Sequence, residues 1–377
     1  MNYWHIQLHP NNKNDFSNTV IEKILSDKKI IGLGEWEKGE SQRSQFQDKM
    51  KIGDIVVVKS GKTPIAIVKV TGKSYYERNT NEDFDWFSYR RDIEIIEFYK
   101  NEYSFEIPQP RGTLAICENL EAATSKTIIK WYKKAMKNKL LENVKLSEKR
   151  KEELKILWAN FIIKYDSNEK KNIENSLDEI SNGWNTYRNK IINNNFSLDD
   201  YTNTLKNETS GLSGGYLCNF LERKTSTVLG SSKPGNAINF GVKLNNDNET
   251  YTIGKNKPIA TREEAENYFE EVIKPLFSKV VDSKIASDKV ELVEQSNYNA
   301  KQILRKLAVL DHFSDFICIY SDSVINTLYD EIIESAEDTN LGRNIELQIV
   351  MQDILNLEKD NPVQRVILSR FLWLYSN

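Results

Sequence analysis

The chain has little of what catalytic and metal centres are usually built from. Its 377 residues include three cysteines, Cys117, Cys218 and Cys318, and three histidines, His5, His9 and His312. The cysteines are isolated and odd in number. They make neither a disulfide framework nor a metal motif, so a reducing, cytoplasmic setting is expected. His5 and His9 stand four apart with no third ligand near them, and no metal or other cofactor is expected. No apolar run approaches the ~20 residues of a membrane span, so no membrane partner is expected either. The stretch Ile55-Val-Val-Val58 is long enough only for a strand. The opening Met1-Asn-Tyr-Trp-His5 lacks the basic and then apolar layout of a signal peptide. Excess charge is missing as well: 52 Lys and Arg against 55 Asp and Glu leave −3. That gives no global attraction to nucleic acid, so any such function must rest on local patches.

Catalytic motifs are scarce too. A phosphate-binding loop needs glycines that free backbone amides, then a lysine for the terminal phosphates and a hydroxyl for magnesium. Gly34-Glu-Trp-Glu-Lys-Gly39-Glu40-Ser41 copies the glycine spacing but puts Glu40 where the lysine belongs, and a carboxylate there repels phosphate. Gly61-Lys62-Thr63 has the tail of the motif between two strands, without the first glycine. The acid-x-lysine fragments Glu222-Arg-Lys224 and Asp282-Ser-Lys284 follow no clear acidic strand, and charged residues at 28% make such triplets common by chance. No Gly-x-Ser-x-Gly elbow occurs. A recognition protein without an active site is therefore expected, with a metal-dependent nuclease as one alternative.

What is there divides into three stretches of an α+β chain. Residues 1–120 are β-rich. Tyr3 to Leu8 alternates Trp4, Ile6 and Leu8 against Tyr3, His5 and Gln7, the period of a half-buried strand. Asp54–Ser60 and Pro64–Thr71 form a hairpin across Gly61-Lys62-Thr63, Ile93–Phe98 is a further strand, and residues 40–50 are a short helix packing Phe46 and Met50. A small, strongly curved barrel with flanking helices is predicted. Residues 121–205 turn helical, with stripes Ile128, Trp131, Tyr132, Met136 and Leu154, Ile156, Leu157, Phe161, Ile162. This is also the basic region, with eleven Lys and Arg against four Glu from Lys126 to Lys155. Residues 206–377 are mixed α/β and then helical. The clearest strands are Ala237–Leu244 and Thr250–Ile253, and a capping box pairs Thr261 with Glu264. From Asp282 onward sixteen acids face nine bases.

Binding chemistry concentrates in the first stretch. Trp4 lies in a strand with His5 and Gln7, Trp36 in a glycine-flanked polar loop, and Trp86 and Tyr89 in a segment that carries Asp85 and ends in Arg90-Arg91. Aromatic faces hold unpaired bases by stacking, at roughly 1–3 kcal/mol per base. A flipped base also has to recover hydrogen bonds on its pairing edge. The base-contacting set expected is Trp4, His5, Gln7, Trp36, Ser41, Gln42, Asp85, Trp86 and Tyr89. Arg43, Lys62, Lys73, Arg90, Arg91 and Arg111 are the expected phosphate contacts. Alternation with Ile6 and Leu8 also fits Trp4 as a core residue.

Tyr3-Trp4-His5-Ile6-Gln7-Leu8-His9-Pro10, the loop Gly34-Glu35-Trp36 with Ser41-Gln42, and Met50-Lys-Ile-Gly53-Asp54-Ile-Val-Val-Val58 resemble, in order and spacing, the EVE branch of the PUA superfamily. The resemblance implies a PUA-like barrel that reads a modified base in an aromatic cage. Trp36 and Trp86 would be its walls, with Ser41 and Gln42 at the rim. Further along, Phe220-Leu-Glu-Arg-Lys224, Leu229-Gly230-Ser231 and Phe240-Gly241-Val242 resemble the region before the motor in McrB-like proteins. This second likeness implies either the N-terminal portion of such a protein or a stand-alone relative. The expectation is recognition of double-stranded DNA carrying a modified base, a cytosine derivative first, by base flipping. The chain would be the specificity part of a type IV, McrBC-like restriction or antiviral defence system, with a AAA+ GTPase and a nuclease subunit as partners. The same superfamily makes a reader of modified or structured RNA the other alternative.

Overall fold

A computed structural model describes residues 1–8, 18–36, 39–78, 84, 86–108, 112–204, 215–230, 241–254, 258–298, 300–334, 337–358 and 360–376. The alternation at the start of the chain is realised as strand β1 (Tyr3–Gln7). Trp4, Ile6 and Leu8 enter one hydrophobic core, while Tyr3 on the other face meets Tyr132 edge-on at 5.8 Å. Strands β2 (Ile30–Leu33), β3 (Ile55–Ser60), β4 (Thr63–Val70), β5 (Tyr75–Tyr76), β6 (Tyr89–Phe98) and β7 (Leu114–Ile116) complete a seven-stranded sheet. Its order is β2-β6-β4-β3-β1-β7, with β5 added on β6. β1 runs parallel to β3, and the other neighbours are antiparallel. Gly61 sits at φ +59° in the β3–β4 turn, a conformation glycine adopts without strain. Bulges between Val58 and Lys59 and between Ile67 and Val68 add local twist. The result is an α+β fold that opens with a curled half-barrel.

The short helix expected over 40–50 forms as α2 (Glu40–Ser44) and continues as a wider π-type turn, Gln45–Lys49. It buries Phe46 and Met50 completely. It also bridges two distant strands of the curl. At one end the Gln42 side-chain oxygen Oε1 accepts from Thr113 N and Leu114 N at the start of β7. At the other, Arg91 of β6 donates to the carbonyls of Phe46, Gln47 and Met50 at 2.8–2.9 Å. Helix ends leave carbonyls unpaired, and the forked guanidinium satisfies three of them together.

The outer face of the sheet is covered by a long helix, α3 (Ala123–Glu142). Ile128, Trp131 and Ala135 are buried, and the Trp131 indole donates to Glu97 at 2.9 Å. Met136, expected in this stripe, is exposed because Ala135 takes the inward position.

Chain contacts divide the molecule into two units, residues 1–139 and 140–377. The second is mostly helical. In α4 (Glu148–Ile162) the buried stripe is Leu154 and Trp158, with Phe161 and Ile162 half-buried, whereas Ile156 and Leu157 are exposed. The expected stripe mixed two faces, since a residue two positions from Leu154 lies about 200° around the helix. The helix α5 (Ser167–Ile192) is capped by Asp166. A three-stranded sheet, β8 (Val242–Leu244), β9 (Tyr251–Ile253) and β10 (Ile259–Ala260), precedes the helix Arg262–Tyr268. Residues 237–240 of the longer strand expected here lie outside the described residues. The capping box is present: Thr261 N donates to Glu264 at 2.7 Å, and Glu264 N donates to the Thr261 hydroxyl at 3.3 Å.

Several buried polar groups in this unit are paired, which offsets their desolvation. Asp311 accepts from Arg188 and Lys289 at 2.7 Å each. Asn344 pins the segment around Ile317–Ile319 with three hydrogen bonds to its main chain. Lys306 donates to the carbonyls of Leu221 and Gly230, and burial lowers its pKa to about 8.

Candidate nucleic-acid interface

Trp36 and Trp86 are each supported by a glycine that follows β2. β2 ends at Leu33, which pairs with Tyr89 of β6, and the chain enters 34–39. A side chain on Gly34 would overlap the Trp86 indole, and one on Gly39 would overlap the Trp36 indole. Each ring thus rests on a glycine, and both stay half-buried at the edge of the core. Phe87 is seated in the same way on Gly32 but is fully buried. Gly39 N donates to Trp36 O at 3.0 Å. The Arg43 guanidinium donates to the same oxygen at 2.6 Å and lies 6.0 Å from the Trp36 ring centre. Next to Arg43, Ser41 is exposed and Gln42 half-buried. Gln7 N donates to Thr113 O at 2.7 Å, which ties the end of β1 to the segment Gln42 holds. Tyr89 is half-buried and meets the exposed Tyr76 edge-on at 5.3 Å.

Trp36, Arg43, Gln42 and Gln7 are therefore linked through short contacts, and Trp86 lies against Gly34, two residues before Trp36. Other residues of the expected set belong elsewhere. Trp4 is 0% exposed, and its indole donates to Asp54 at 2.8 Å, so it is a core residue and not a cage wall. His5 is 2% exposed on the opposite face of β1 from Trp4. Burial, and after it the charge of Lys59, lowers its pKa to about 4, so it is a neutral interior imidazole.

Arg90 and Arg91 are each 3% exposed and are not free to hold phosphates. Arg90 donates to Phe87 O at 2.8 Å, pairs with Glu77 at 2.9 Å, and lies 4.9 Å from the Phe84 ring centre. Arg91 is the clamp on the helix end, with a fourth hydrogen bond to Gly72 O. Lys62 is exposed and 3.9 Å from Glu106, and Lys73 is exposed. Asp85 and Arg111 lie outside the described residues.

Asp54, placed by the sequence at the start of a strand after Gly53 but given no role there, holds the turn together. Its carboxylate accepts from Asn2 N at 2.7 Å, the Trp4 indole and Lys51 N at 3.0 Å, closing the turn before β3 onto the start of β1. The signal was its place after Gly53, where a buried aspartate collects nearby N–H donors. In the helical unit, a cleft of ≈ 870 Å³ is lined by Trp158, Leu177 and Val363 together with Glu174, Asp178 and Asp360. Among the described residues no group of three or more His, Cys, Asp or Glu could hold a metal ion, and no helix is long and apolar enough to cross a membrane.

A family model described as a domain of unknown function (DUF8426) matches residues 2–106, which span β1 to β6. No curated protein matches the chain.

Proposed function

We propose that the sheet unit reads a modified base in double-stranded DNA as a PUA-like domain of the EVE branch. The base leaves the duplex and stacks between or against Trp36 and Trp86. The observation that carries this reading is the pair of glycine seats. Core tryptophans such as Trp4 and Trp131 are fully enclosed, whereas Trp36 and Trp86 are half-buried rings at the edge of the core, each lying close against a glycine. Large aromatic faces fixed at a surface are suited to stacking a base, at roughly 1–3 kcal/mol each. Lys62 and Lys73 are exposed cations of the same unit that can approach phosphates, with Arg43 beside the Trp36 ring.

The resemblance to McrB-like proteins extends the proposal. The chain then supplies specificity to a cytoplasmic, modification-dependent defence system, and a AAA+ GTPase and a nuclease supply motion and cutting. The test is fluorescence-polarisation binding, at fixed salt, to one duplex in four forms: unmodified, 5-methylcytosine, 5-hydroxymethylcytosine and N6-methyladenine. The expected result is a preference of about tenfold or more for one form, abolished by Trp36→Ala. Equal binding to all four, falling steeply with salt, would mean contact with phosphates alone and would remove the cage assignment.

A further inference from the structure

Gln42 carries more information than its place at the rim. A glutamine amide has one acceptor oxygen with two lone pairs and one nitrogen with two donors. Thr113 N and Leu114 N both donate to Oε1, at 2.9 and 2.8 Å. Two N–H groups cannot face an amide nitrogen, so the orientation of this side chain is forced and its acceptor is fully used. Among the described residues Nε2 has no hydrogen-bond partner. It lies against Gly112, which sits at φ +102°, and a side chain built there would come within 3.4 Å of it. The adjacent Arg43 holds Trp36 through its carbonyl. One helical turn therefore carries both this donor-only group and, at the next residue, the arginine that holds Trp36.

On the reading of the previous section, we propose that Gln42 is a specificity residue that donates from Nε2 to the flipped base. It selects a pairing edge that presents an acceptor, a ring nitrogen or a carbonyl oxygen, at that position. An edge presenting an N–H there meets donor against donor and is rejected.

Gln42→Glu isolates the donor. A carboxylate accepts from Thr113 N and Leu114 N as the amide does, but it has nothing to donate. The full chain and this variant are titrated against two duplexes, one with the preferred modified base and one with an abasic site at the same position. The variant is expected to keep the wild-type melting temperature. It should lose about tenfold or more in affinity for the modified duplex and stay within about threefold on the abasic one, where there is no edge to read. Equal losses on both duplexes would reduce Gln42 to a site of added charge, and no loss on either would mean it touches no base. Either result overturns the proposal while a Trp36→Ala loss of preference leaves the reader assignment standing. If the wild type shows no preference and Trp36→Ala binds as it does, the reader assignment falls first and takes this one with it.

Discussion

His5 shows how a single buried side chain couples this fold to pH. Its Nδ1 has no hydrogen-bond partner, and the imidazole is sealed beneath the outer face of the sheet. Folded His5 has a pKa of about 4, against 6.5 for an ordinary histidine. Between these values the unfolded chain binds the proton and the folded chain does not. The contribution of His5 is therefore fully present above pH 6.5 and is lost as pH falls towards 4, by about 3 kcal/mol at most. Urea unfolding at pH 7 and pH 4 should reveal this loss, and His5→Gln should flatten the slope in that window; an unchanged slope would place the proton elsewhere. His5 was legible as part of a strand but not as interior, because its strand face is closed by a helix more than a hundred residues further on. Arg90 and Arg91 are a similar case. A charged doublet looks like surface, and only tertiary structure brings the carbonyls of Phe46, Gln47 and Met50 to Arg91.

Gly34, Trp36 and Gly39, with the helix after them, form the element on which the proposed site depends. Local pattern identified both, since two glycines around a tryptophan in a polar stretch are a poor way to build a core. What local pattern could not supply was the seating of each ring, which requires knowing that Trp86 returns onto Gly34. Gly39 has φ −99°, so alanine is allowed by its backbone, and the nearest conflict is with the Trp36 ring. Gly39→Ala should displace that ring, shift its fluorescence and weaken binding of the preferred duplex by about tenfold, the value of one lost stacking contact, while costing little stability. Unaltered affinity with a shifted spectrum would show that Trp36 can move without consequence. Elements in the second unit were read with mixed success for a physical reason. The Thr261–Glu264 cap depends on four consecutive residues and was visible; the buried face of α4 depends on which neighbours it meets, and Trp158 was missed.

At the scale of the whole molecule, the sheet unit has a core of its own, assembled from β1–β4, β6 and β7 with α1 (Asn18–Lys23) and the turn Gln45–Lys49 after α2. A fragment ending at Glu142, where α3 ends, should unfold in one cooperative urea transition with a stability of about 5–10 kcal/mol. A non-cooperative or absent transition would show that residues beyond it are needed to complete the core. The strands were legible because β1 alternates with period two, and because β3 and β4 are short apolar runs on either side of Gly61. The helical unit gave up its architecture but not a chemistry, since its buried charges pair with one another or with backbone.

The parallel pairing of β1 with β3 sets an order of events during synthesis. β1 leaves the ribosome before both of its neighbours in the sheet, β3 and β7, the latter made only after β6 is complete. The hairpin β3–β4 can close locally as it emerges, but β1 must stay unpaired until that hairpin exists, and its other edge stays open until Leu114–Ile116 arrives. Such long-range closure is slow, and an exposed apolar strand is a template for wrong pairing. Nascent chains stalled before Leu114 are thus the species most exposed to misassembly.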